Sequence, residues 1–294
     1  MDIHPVIIIG GGPAGLAAAM QLERQGISPL VFERQRVGGL LWNANWVENY
    51  PGFVEGITGP DLVKLFHDQA LRLGVRIVLE EVIKAEFQDG IFRIATKGLD
   101  YQSKLLIAAS GTVPIDFSLE MSSEEIKERL FSEVGLISHV QDKQIVVVGT
   151  GDAALDYALN LSRQNKVIIL NRGTRVKGLK LLWERVQKKS GISYFNNSEI
   201  KNITIDDGGE LLLSGLKDGE ELKLSADYLI TAIGRKPEYS FAGDSIIEGR
   251  DQLEKAGKLF LIGDIKNGSF RQTSIAVADG IRIAMIIGDL LERG

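Results

Sequence analysis

Two glycine-rich segments, each placed directly after an apolar run, constrain the fold of this chain more than any other feature. Residues 6–9 lead into Gly10-Gly11-Gly12-Pro13-Ala14-Gly15, and residues 145–148 lead into Gly149-Thr150-Gly151-Asp152-Ala153-Ala154. A continuous β-branched and aliphatic run is typical of a parallel strand that is buried on both faces. A glycine-rich turn from such a strand into a helix is the phosphate-binding element of dinucleotide-binding folds. The sequence therefore predicts an α/β protein with two Rossmann-like nucleotide-binding domains.

The first turn has every part of a dinucleotide site. Gly10 permits the tight turn, Gly12 lets the backbone approach a pyrophosphate, and Gly15 lets the helix pack closely on the strand. The helix from Ala14 directs its positive end at the phosphates. The next strand ends at Glu33, about 20 residues after the glycines, where a carboxylate accepts a hydrogen bond from a ribose 2′-OH. Because Glu33 would repel a 2′-phosphate, this site is expected to hold FAD or NAD.

The second turn is followed by a different chemistry. Ala154 replaces the third glycine, and Asn171 occupies the place where the acid would end the next strand. Arg172 follows directly, with Arg175 and Lys177 close by. Loss of the carboxylate and gain of basic groups favour a nucleotide with a 2′-phosphate, hence NADP, with NAD as the alternative. A solvated basic loop without a ligand is the other interpretation of these three side chains.

Composition excludes several classes of function. The formal net charge of -5 argues against a nucleic-acid partner. The chain has no cysteine, which excludes disulfides, thiolate metal sites and cysteine nucleophiles of its own, and its three histidines are not spaced as metal ligands, so no metal is expected. No uncharged apolar run approaches the roughly 20 residues of a membrane helix. We therefore expect a cytoplasmic protein with no membrane contact.

Further segments, in the same order along most of the chain, resemble the low-molecular-weight thioredoxin reductase family, flavoproteins with two dinucleotide-binding domains. These segments are Gly38-Gly39-Leu40 with 47–52, then 106–112 ending in Ser-Gly-Thr, 233–237 (Ile-Gly-Arg-Lys-Pro), 259–264 ending in Gly-Asp, and Arg271-Gln272-Thr273.

The resemblance implies a fold of two three-layer ββα domains. It implies a discontinuous FAD-binding domain at residues 1–113 and 243–294, an inserted NAD(P)H-binding domain at 114–242, and a homodimer. Strand-like alternation at 75–78 and 92–95 predicts the smaller antiparallel sheet of the FAD domain.

The same resemblance supplies candidate cofactor-binding residues for both sites. For FAD they are Gly10, Gly12, Pro13, Ala14, Gly15, Glu33, Arg34, Gly39, Leu40, Asn49, Gly111, Gly263, Asp264, Arg271, Gln272 and Thr273. For NAD(P)H they are Gly149, Gly151, Asp152, Ala153, Asn171, Arg172, Lys177 and Gly234.

Two departures from the family pattern affect the expected activity. The family's Cys-x-x-Cys lies just before the second nucleotide strand, where this chain has the cysteine-free segment 132–141. Thioredoxin reduction by the family mechanism is therefore excluded. The family's His-Arg-Arg-x-x-x-Arg loop becomes Asn171-Arg172-Gly173 with Lys177 at the last place, which leaves the nucleotide preference open.

These observations predict an FAD-dependent NAD(P)H oxidoreductase that passes electrons directly to an external acceptor. The acceptor is a small redox protein such as a ferredoxin or flavodoxin, a quinone, or dioxygen. No catalytic side chain is assigned, because hydride transfer depends mainly on the positioning of the two cofactors. The alternative is a non-enzymatic flavin-binding subunit or sensor with a vestigial nicotinamide site.

Overall fold

The computed structural model describes residues 2–117, 119, 123–206 and 208–292. In chain order its strands and helices are β1 (Ile3–Ile9), α1 (Pro13–Arg24), β2 (Leu30–Phe32), α2 (Gly59–Arg72), β3 (Arg76–Val78), β4 (Val82–Gln88), β5 (Ile91–Thr96), β6 (Asp100–Ala108), β7 (Thr112–Pro114), α3 (Glu124–Lys127), β8 (Leu130–Phe131), β9 (Gln144–Val148), α4 (Asp152–Leu161), β10 (Lys166–Leu170), α5 (Lys180–Gln187), β11 (Ile192–Phe195), β12 (Ser198–Ile205), β13 (Leu211–Lys217), β14 (Glu220–Ala226), β15 (Tyr228–Thr231), β16 (Arg235–Pro237), α6 (Asp244–Lys255), β17 (Leu259–Leu261) and α7 (Thr273–Glu292).

The chain divides into two compact units. The first comprises Met1–Trp42, Val47–Val113 and Lys236–Gly294, and the second comprises Asn43–Trp46 and Pro114–Arg235. The first unit thus resumes at Lys236, before the expected boundary at residue 243. The reason is that Phe241 is buried in the core of the first unit, where its carbonyl accepts a hydrogen bond from the Ala85 N–H at 2.7 Å.

The first unit is built on a sheet with strand order β3-β2-β1-β6-β5-β4. Strand β17 also pairs with β6, along the edge of β6 that faces away from β1. Strands β1, β2, β3, β6 and β17 are parallel to one another, whereas β4 and β5 form an antiparallel meander with β6. The expectation that residues 75–78 belong to the antiparallel part is wrong. Strand β3 pairs in parallel with β2, because helix α2 returns the chain to the same end of the sheet before β3 begins.

Helices α1 and α7 pack against each other through small residues. A Cβ atom at Gly280 of α7 would lie 2.3 Å from the carbonyl oxygen of Ala14 in α1, so only glycine permits this approach. On the other side of the sheet, Ile7, Phe92 and Ile246 belong to one buried cluster that joins β1, β5 and helix α6. The first unit therefore has a layer on each face of its central strands.

The second unit repeats this layered plan. Its five-stranded sheet has the order β11-β10-β9-β15-β8 and is parallel throughout. Helices α4 and α5 cover one face, with Leu155 and Val186 buried against Ile145 of β9. The antiparallel sheet β12-β13-β14 covers the other face, with Ile203 and Leu213 in one cluster with Val146. The α/β fold with two Rossmann-like units follows from these two sheets.

Candidate functional site

The first glycine turn has a backbone that only glycine allows. Gly10 adopts φ +109°, and a Cβ atom there would lie 2.3 Å from the carbonyl oxygen of Ala109, the residue that follows β6. At Gly15, a Cβ atom would lie 2.0 Å from the carbonyl oxygen of Gly10. At Gly12, by contrast, nothing described lies within 4 Å of a Cβ position. The turn therefore packs tightly on its protein side and leaves open space at Gly12.

The N-terminus of α1 opens into that space. Gly12 is the N-cap residue, and no side chain among the described residues caps the helix. Pro13 occupies the first helical position, where its lack of an N–H costs nothing. Ala14 and Gly15 are buried and carry the first free amide groups of the helix. An uncapped helix N-terminus of this kind suits a phosphate group.

Glu33 is held beside the turn by two backbone groups. The Gly11 N–H donates to Oε2 at 2.9 Å, and the Gln35 N–H donates to Oε1 at 3.0 Å. Each carboxylate oxygen has a second lone pair, so both can still accept from a ligand hydroxyl. The structure thus places Glu33 where the sequence predicts an acceptor for a ribose.

A cleft with a cavity volume of about 60 Å³, partly open to solvent, lies beside Glu33. Among the described lining residues the acids are Glu33, Glu80, Glu81 and Glu238, and the one base is Arg34, which pairs with Glu238 at 3.4 Å. The excess of acid would repel a 2′-phosphate. Sequence reasoning missed several of the lining residues, which come from segments remote from the glycine turn, namely Glu80, Glu81, Val82, Ser110, Glu238, Ser240 and Phe241.

Glu238 stays ionised in this cleft. Burial alone would raise the pKa of its carboxyl, but hydrogen bonds from Ser240 and the charge of Arg34 outweigh burial and lower that pKa. The Ser240 N–H donates to Oε1 at 2.7 Å, and the Ser110 hydroxyl donates to the Glu238 carbonyl at 2.7 Å. Ser110, which follows β6, and Glu238, which follows β16, are thereby fixed at one edge of the cleft.

Segment 259–264 lies against the first glycine turn. Gly263 has φ +72°, and a Cβ atom there would lie 2.8 Å from the Cβ of Ala14. Asp264 follows in a single 3-10 turn, Gly263–Ile265, and is partly buried. Asp279 of α7, which sequence reasoning also missed, accepts from the Gly263 N–H at 3.2 Å and from Asn267 Nδ2 at 2.7 Å. It holds the loop that carries Asp264.

The remaining FAD candidates lie in further segments of the first unit, and Gly39 is the one that the structure places beside Gly12. The Gly38 N–H donates to the Gly11 carbonyl, and a Cβ atom at Gly39 would be 3.5 Å from the Gly12 Cα. Asn49 Nδ2 donates to Gln272 Oε1 at 2.7 Å, just before α7 begins at Thr273. Leu40 and Arg271 are partly buried in these segments, and Gly111 has φ +69° with open space around its Cβ position.

The second glycine turn reproduces the first. Gly149 has φ +125°, and a Cβ atom there would lie 2.4 Å from the carbonyl oxygen of Ala232. Gly151 is the N-cap of α4 with nothing described within 4 Å of its Cβ position, and no side chain described in the structure caps this helix. The second unit therefore offers the same combination of a tight turn and an open helix N-terminus.

The loop after β10 folds back onto this turn. The N–H groups of Lys177 and Gly178 donate to the Thr150 carbonyl at 3.1 and 2.7 Å, and the Leu179 N–H donates to Asp152 Oδ1 at 2.7 Å. Asp152 thus positions the loop, while Ala153 next to it in the first turn of α4 is exposed.

The buried Asn171 side chain stabilises the same loop through hydrogen bonds. It is 7% exposed, and its Nδ2 donates to the Arg175 carbonyl at 3.2 Å and to the Tyr194 hydroxyl at 2.8 Å. Arg172 and Lys177 are exposed and make no ion pair with a described side chain. Gly234, with φ +134°, packs against Ile115 at the end of the unit.

Segment 132–141 is joined to its surroundings by polar contacts. The Ser132 hydroxyl lies 2.9 Å from that of Thr231, and Glu133 pairs with Arg235 at 3.2 Å. Asn43 Nδ2 donates to Glu133 Oε2 at 3.2 Å, and the Gly135 N–H donates to Asn43 Oδ1 at 2.9 Å. Hydroxyl, carboxylate and amide groups thus hold this segment in the second unit.

With this geometry established, the family can be assigned. The chain belongs to the pyridine nucleotide-disulphide oxidoreductase family, whose profile matches residues 4–280. It is 32% identical over 303 residues to a thioredoxin reductase of Streptomyces clavuligerus, with 97% of this chain and 92% of that protein covered. The resemblance to thioredoxin reductases is therefore confirmed.

Two further similarities are consistent with this assignment. The chain is 31% identical to the bifunctional thioredoxin reductase/thioredoxin of Mycobacterium leprae, of which it spans 65%. It superposes on the crystal structure of Lactococcus lactis thioredoxin reductase with a TM-score of 0.85 at 26% identity, covering 99% of this chain and all of that one. Among the described residues, no helix is long and apolar enough to cross a membrane.

Thioredoxin reductase-like proteins of this family use FAD and NADPH. The residues present fit two such dinucleotides, because both turns combine a glycine-only backbone with open space at an uncapped helix N-terminus. The acidic cleft beside Glu33 suits a ribose without a 2′-phosphate, and the exposed Arg172 and Lys177 suit one that carries it.

Proposed function

We propose that this protein is an FAD-dependent NAD(P)H oxidoreductase that delivers electrons from reduced flavin directly to an external acceptor and is not a thioredoxin reductase. The observation that carries the proposal is the pairing of two glycine turns of the same geometry with a chain that has no cysteine. The acceptor belongs to the chemical class of a small redox protein such as a ferredoxin or flavodoxin, a quinone, or dioxygen.

The first unit is proposed to bind FAD. The amide groups of Ala14 and Gly15 face the phosphates, Glu33 accepts from the ribose of the adenosine half, and Asp264 accepts from hydroxyls of the ribityl chain. Asp279 acts indirectly, because it fixes the Gly263 N–H and Asn267 around that aspartate. Asn49 and Gln272 hold each other beside the start of α7.

The second unit is proposed to bind NADPH in preference to NADH. The exposed Arg172 and Lys177 bind the 2′-phosphate in this proposal. Asp152 stabilises their loop, because its carboxylate accepts a hydrogen bond from the Leu179 N–H. Asn171 shapes the loop from within and has no direct contact with the nucleotide in this proposal. When bound, the two cofactors supply the redox chemistry, and the protein supplies binding and orientation.

The assembly and location are also proposals. Ile281 and Met285, one turn apart on α7, are 39% and 53% exposed, and such an apolar surface is of the kind that a second copy covers, which supports a homodimer. We propose a cytoplasmic location on the composition of the chain.

One observation favours a second function. The Asn171 side chain is used inside the second unit, where the family pattern has a histidine, and Gly173 replaces an arginine. A nicotinamide site weakened in this way would leave a flavin-binding subunit or sensor without catalytic turnover.

An anaerobic titration separates the two functions. Stoichiometric NADPH added to the FAD-loaded protein should bleach the flavin absorbance near the first equivalent. Dithionite serves as the control, because it reduces flavin without the nicotinamide site. Bleaching by dithionite but by neither NADPH nor NADH would establish the sensor and reject the oxidoreductase.

A further inference from the structure

A cleft in the second unit lies on the face formed by α4, α5 and the short segment 43–46. Its cavity volume is about 350 Å³ and it is partly open to solvent, and this volume is enough for a small organic ligand. Its lining residues are Asn45, Trp46, Asp156, Leu159, Arg163, Leu182, Arg185, Lys188 and Lys189. None of them belongs to either glycine turn, so the cleft is separate from the proposed NADPH-binding loop.

The cleft is electropositive although the chain as a whole is acidic. Arg163, Arg185, Lys188 and Lys189 line it, and Asp156 is the one acid among the described lining residues. Lys188 and Lys189 are exposed and make no ion pair with any side chain that the structure describes. Their charges are therefore available to an anion.

The same cleft has an aromatic wall. Trp46 is 42% exposed, and Leu159 and Leu182 contribute apolar surface. The segment that carries Trp46 is fixed, because the Asn45 N–H donates to Asp156 Oδ2 at 2.8 Å and Arg163 Nη2 donates to Asn45 Oδ1 at 2.7 Å. A planar group can stack on an indole held in this way.

We propose that this cleft binds a small planar organic anion that carries two or more carboxylates or phosphates. The planar part stacks on Trp46, and the anionic groups contact Arg163, Lys188 and Lys189. Such a site is independent of electron transfer and stands whether or not the nicotinamide site is active.

Asp156 gives the site a dependence on pH. The charged groups that face it are Arg163 after α4 and Arg185 on α5, while segment 43–46 offers it only the amide groups of Asn45. Burial raises the pKa of the Asp156 carboxyl to about 6, against the lowering effects of the Asn45 hydrogen bond and the two arginines. Since the carboxylate is charged above that pH and repels an anion, affinity should increase as the pH falls from 7.5 to 5.5.

Isothermal titration of the FAD-loaded protein with benzene-1,3,5-tricarboxylate tests the proposal, with citrate as the non-planar tricarboxylate. We expect one site per chain that prefers the planar probe. Lys188→Glu with Lys189→Glu should weaken binding at least about tenfold, since charge-assisted contacts are lost. Lys180→Glu is the matched control, because Lys180 lies exposed on α5 outside the cleft and should leave the affinity unchanged.

Two further variants keep the test independent of folding defects. Trp46→Leu should remove the preference for the planar probe over citrate, and Asp156→Asn should remove the increase in affinity at low pH. Thermal melting checks that each variant is folded. The proposal is overturned if the wild-type protein gives no binding heat, if the lysine pair and Lys180→Glu behave alike, or if NADP⁺ displaces the probe, which would place it at the nucleotide site.

Discussion

A methyl group on Gly10 would lie 2.3 Å from the carbonyl oxygen of Ala109, because the first glycine turn packs directly on the end of the neighbouring strand β6. The second unit repeats this relationship between Gly149 and Ala232, at 2.4 Å. Both distances are far below a van der Waals contact. The two turns therefore share one steric requirement although their sequences differ after the first glycine.

This shared requirement allows the two sites to be disabled separately. Gly10→Ala should strongly reduce the FAD content of the purified protein, whereas Gly149→Ala should keep FAD and slow its reduction by NADPH. Each substitution forces a backbone shift that costs about 1–3 kcal/mol. Flavin absorbance and anaerobic stopped-flow reduction measure the two effects. Gly249→Ala is the control, since its nearest neighbour, Leu253 Cδ1, is 3.8 Å from the added Cβ. Loss of FAD from Gly149→Ala alone would contradict the assignment.

Glu33 should control FAD retention. The wild-type protein is expected to copurify with about one FAD per chain, a count set by the single complete FAD site proposed above. Glu33→Arg should lower that content and raise the FAD Kd about tenfold or more, because a cation replaces the acceptor of charged hydrogen bonds. Equilibrium dialysis measures the Kd, and Glu128→Arg, at an exposed position after α3, is the matched control. Colourless wild-type protein that takes up no FAD would show the first site to be wrongly assigned.

Arg172 should distinguish the two nicotinamide nucleotides. Arg172→Ala should raise the NADPH KM about tenfold or more, since a charge-assisted contact contributes roughly 1.5–3 kcal/mol. The NADH KM should hardly change, because NADH has no 2′-phosphate. Steady-state reduction of an artificial acceptor measures both constants. Lys166→Ala removes a comparable exposed charge at the start of β10 as a control. Equal sensitivity of NADPH and NADH to Arg172→Ala would exclude the proposed contact.

Asp156 should make stability depend on pH. Burial raises its folded-state pKa from 3.8 to about 6, so between these values the folded protein binds more protons than the unfolded chain. The free energy of unfolding should therefore fall as pH rises from about 4 to 6, and the loss persists above pH 6. Asp156→Asn should stabilise the protein at pH 7.5 by up to about 2 kcal/mol and have little effect near pH 4.

Urea denaturation at pH 7.5 and near pH 4 tests whether Asp156→Asn stabilises the protein mainly at the higher pH. Asp251→Asn is the control, because the Asp251 side chain is 80% exposed on α6. A stabilisation by Asp156→Asn that is the same at both pH values would show that the burial of charge is not its cause.

The absence of cysteine should make activity insensitive to thiol reagents. Arsenite and alkylating agents trap reduced dithiols, so they should leave NADPH-dependent reduction of artificial acceptors intact. A cysteine-containing thioredoxin reductase treated in parallel should be inhibited. NADPH-dependent reduction of thioredoxin disulfide by this protein alone would refute direct transfer, because no residue of this chain can form the mixed disulfide.

The sequence by itself determined the two strand–turn–helix units and the acid at the end of β2. These features are local: an apolar run of four residues is buried within a parallel strand, and a glycine at positive φ followed by an open N-cap is specified within the turn. The absence of cysteine was equally decisive, since it removes a reaction without reference to any fold.

Only the tertiary structure decided which distant residues complete each site. Glu80 lies between β3 and β4 and Glu238 follows β16, and tertiary packing brings both to the cleft beside Glu33. Asp279 on α7 is 16 residues from Gly263, whose N–H donates to its carboxylate. No local sequence pattern predicts this contact. Asn171 turns inward because Tyr194 on the adjacent strand offers it a partner. Long-range packing decides which strands are neighbours and which helix faces meet. These contacts therefore cannot be predicted from short segments of the sequence.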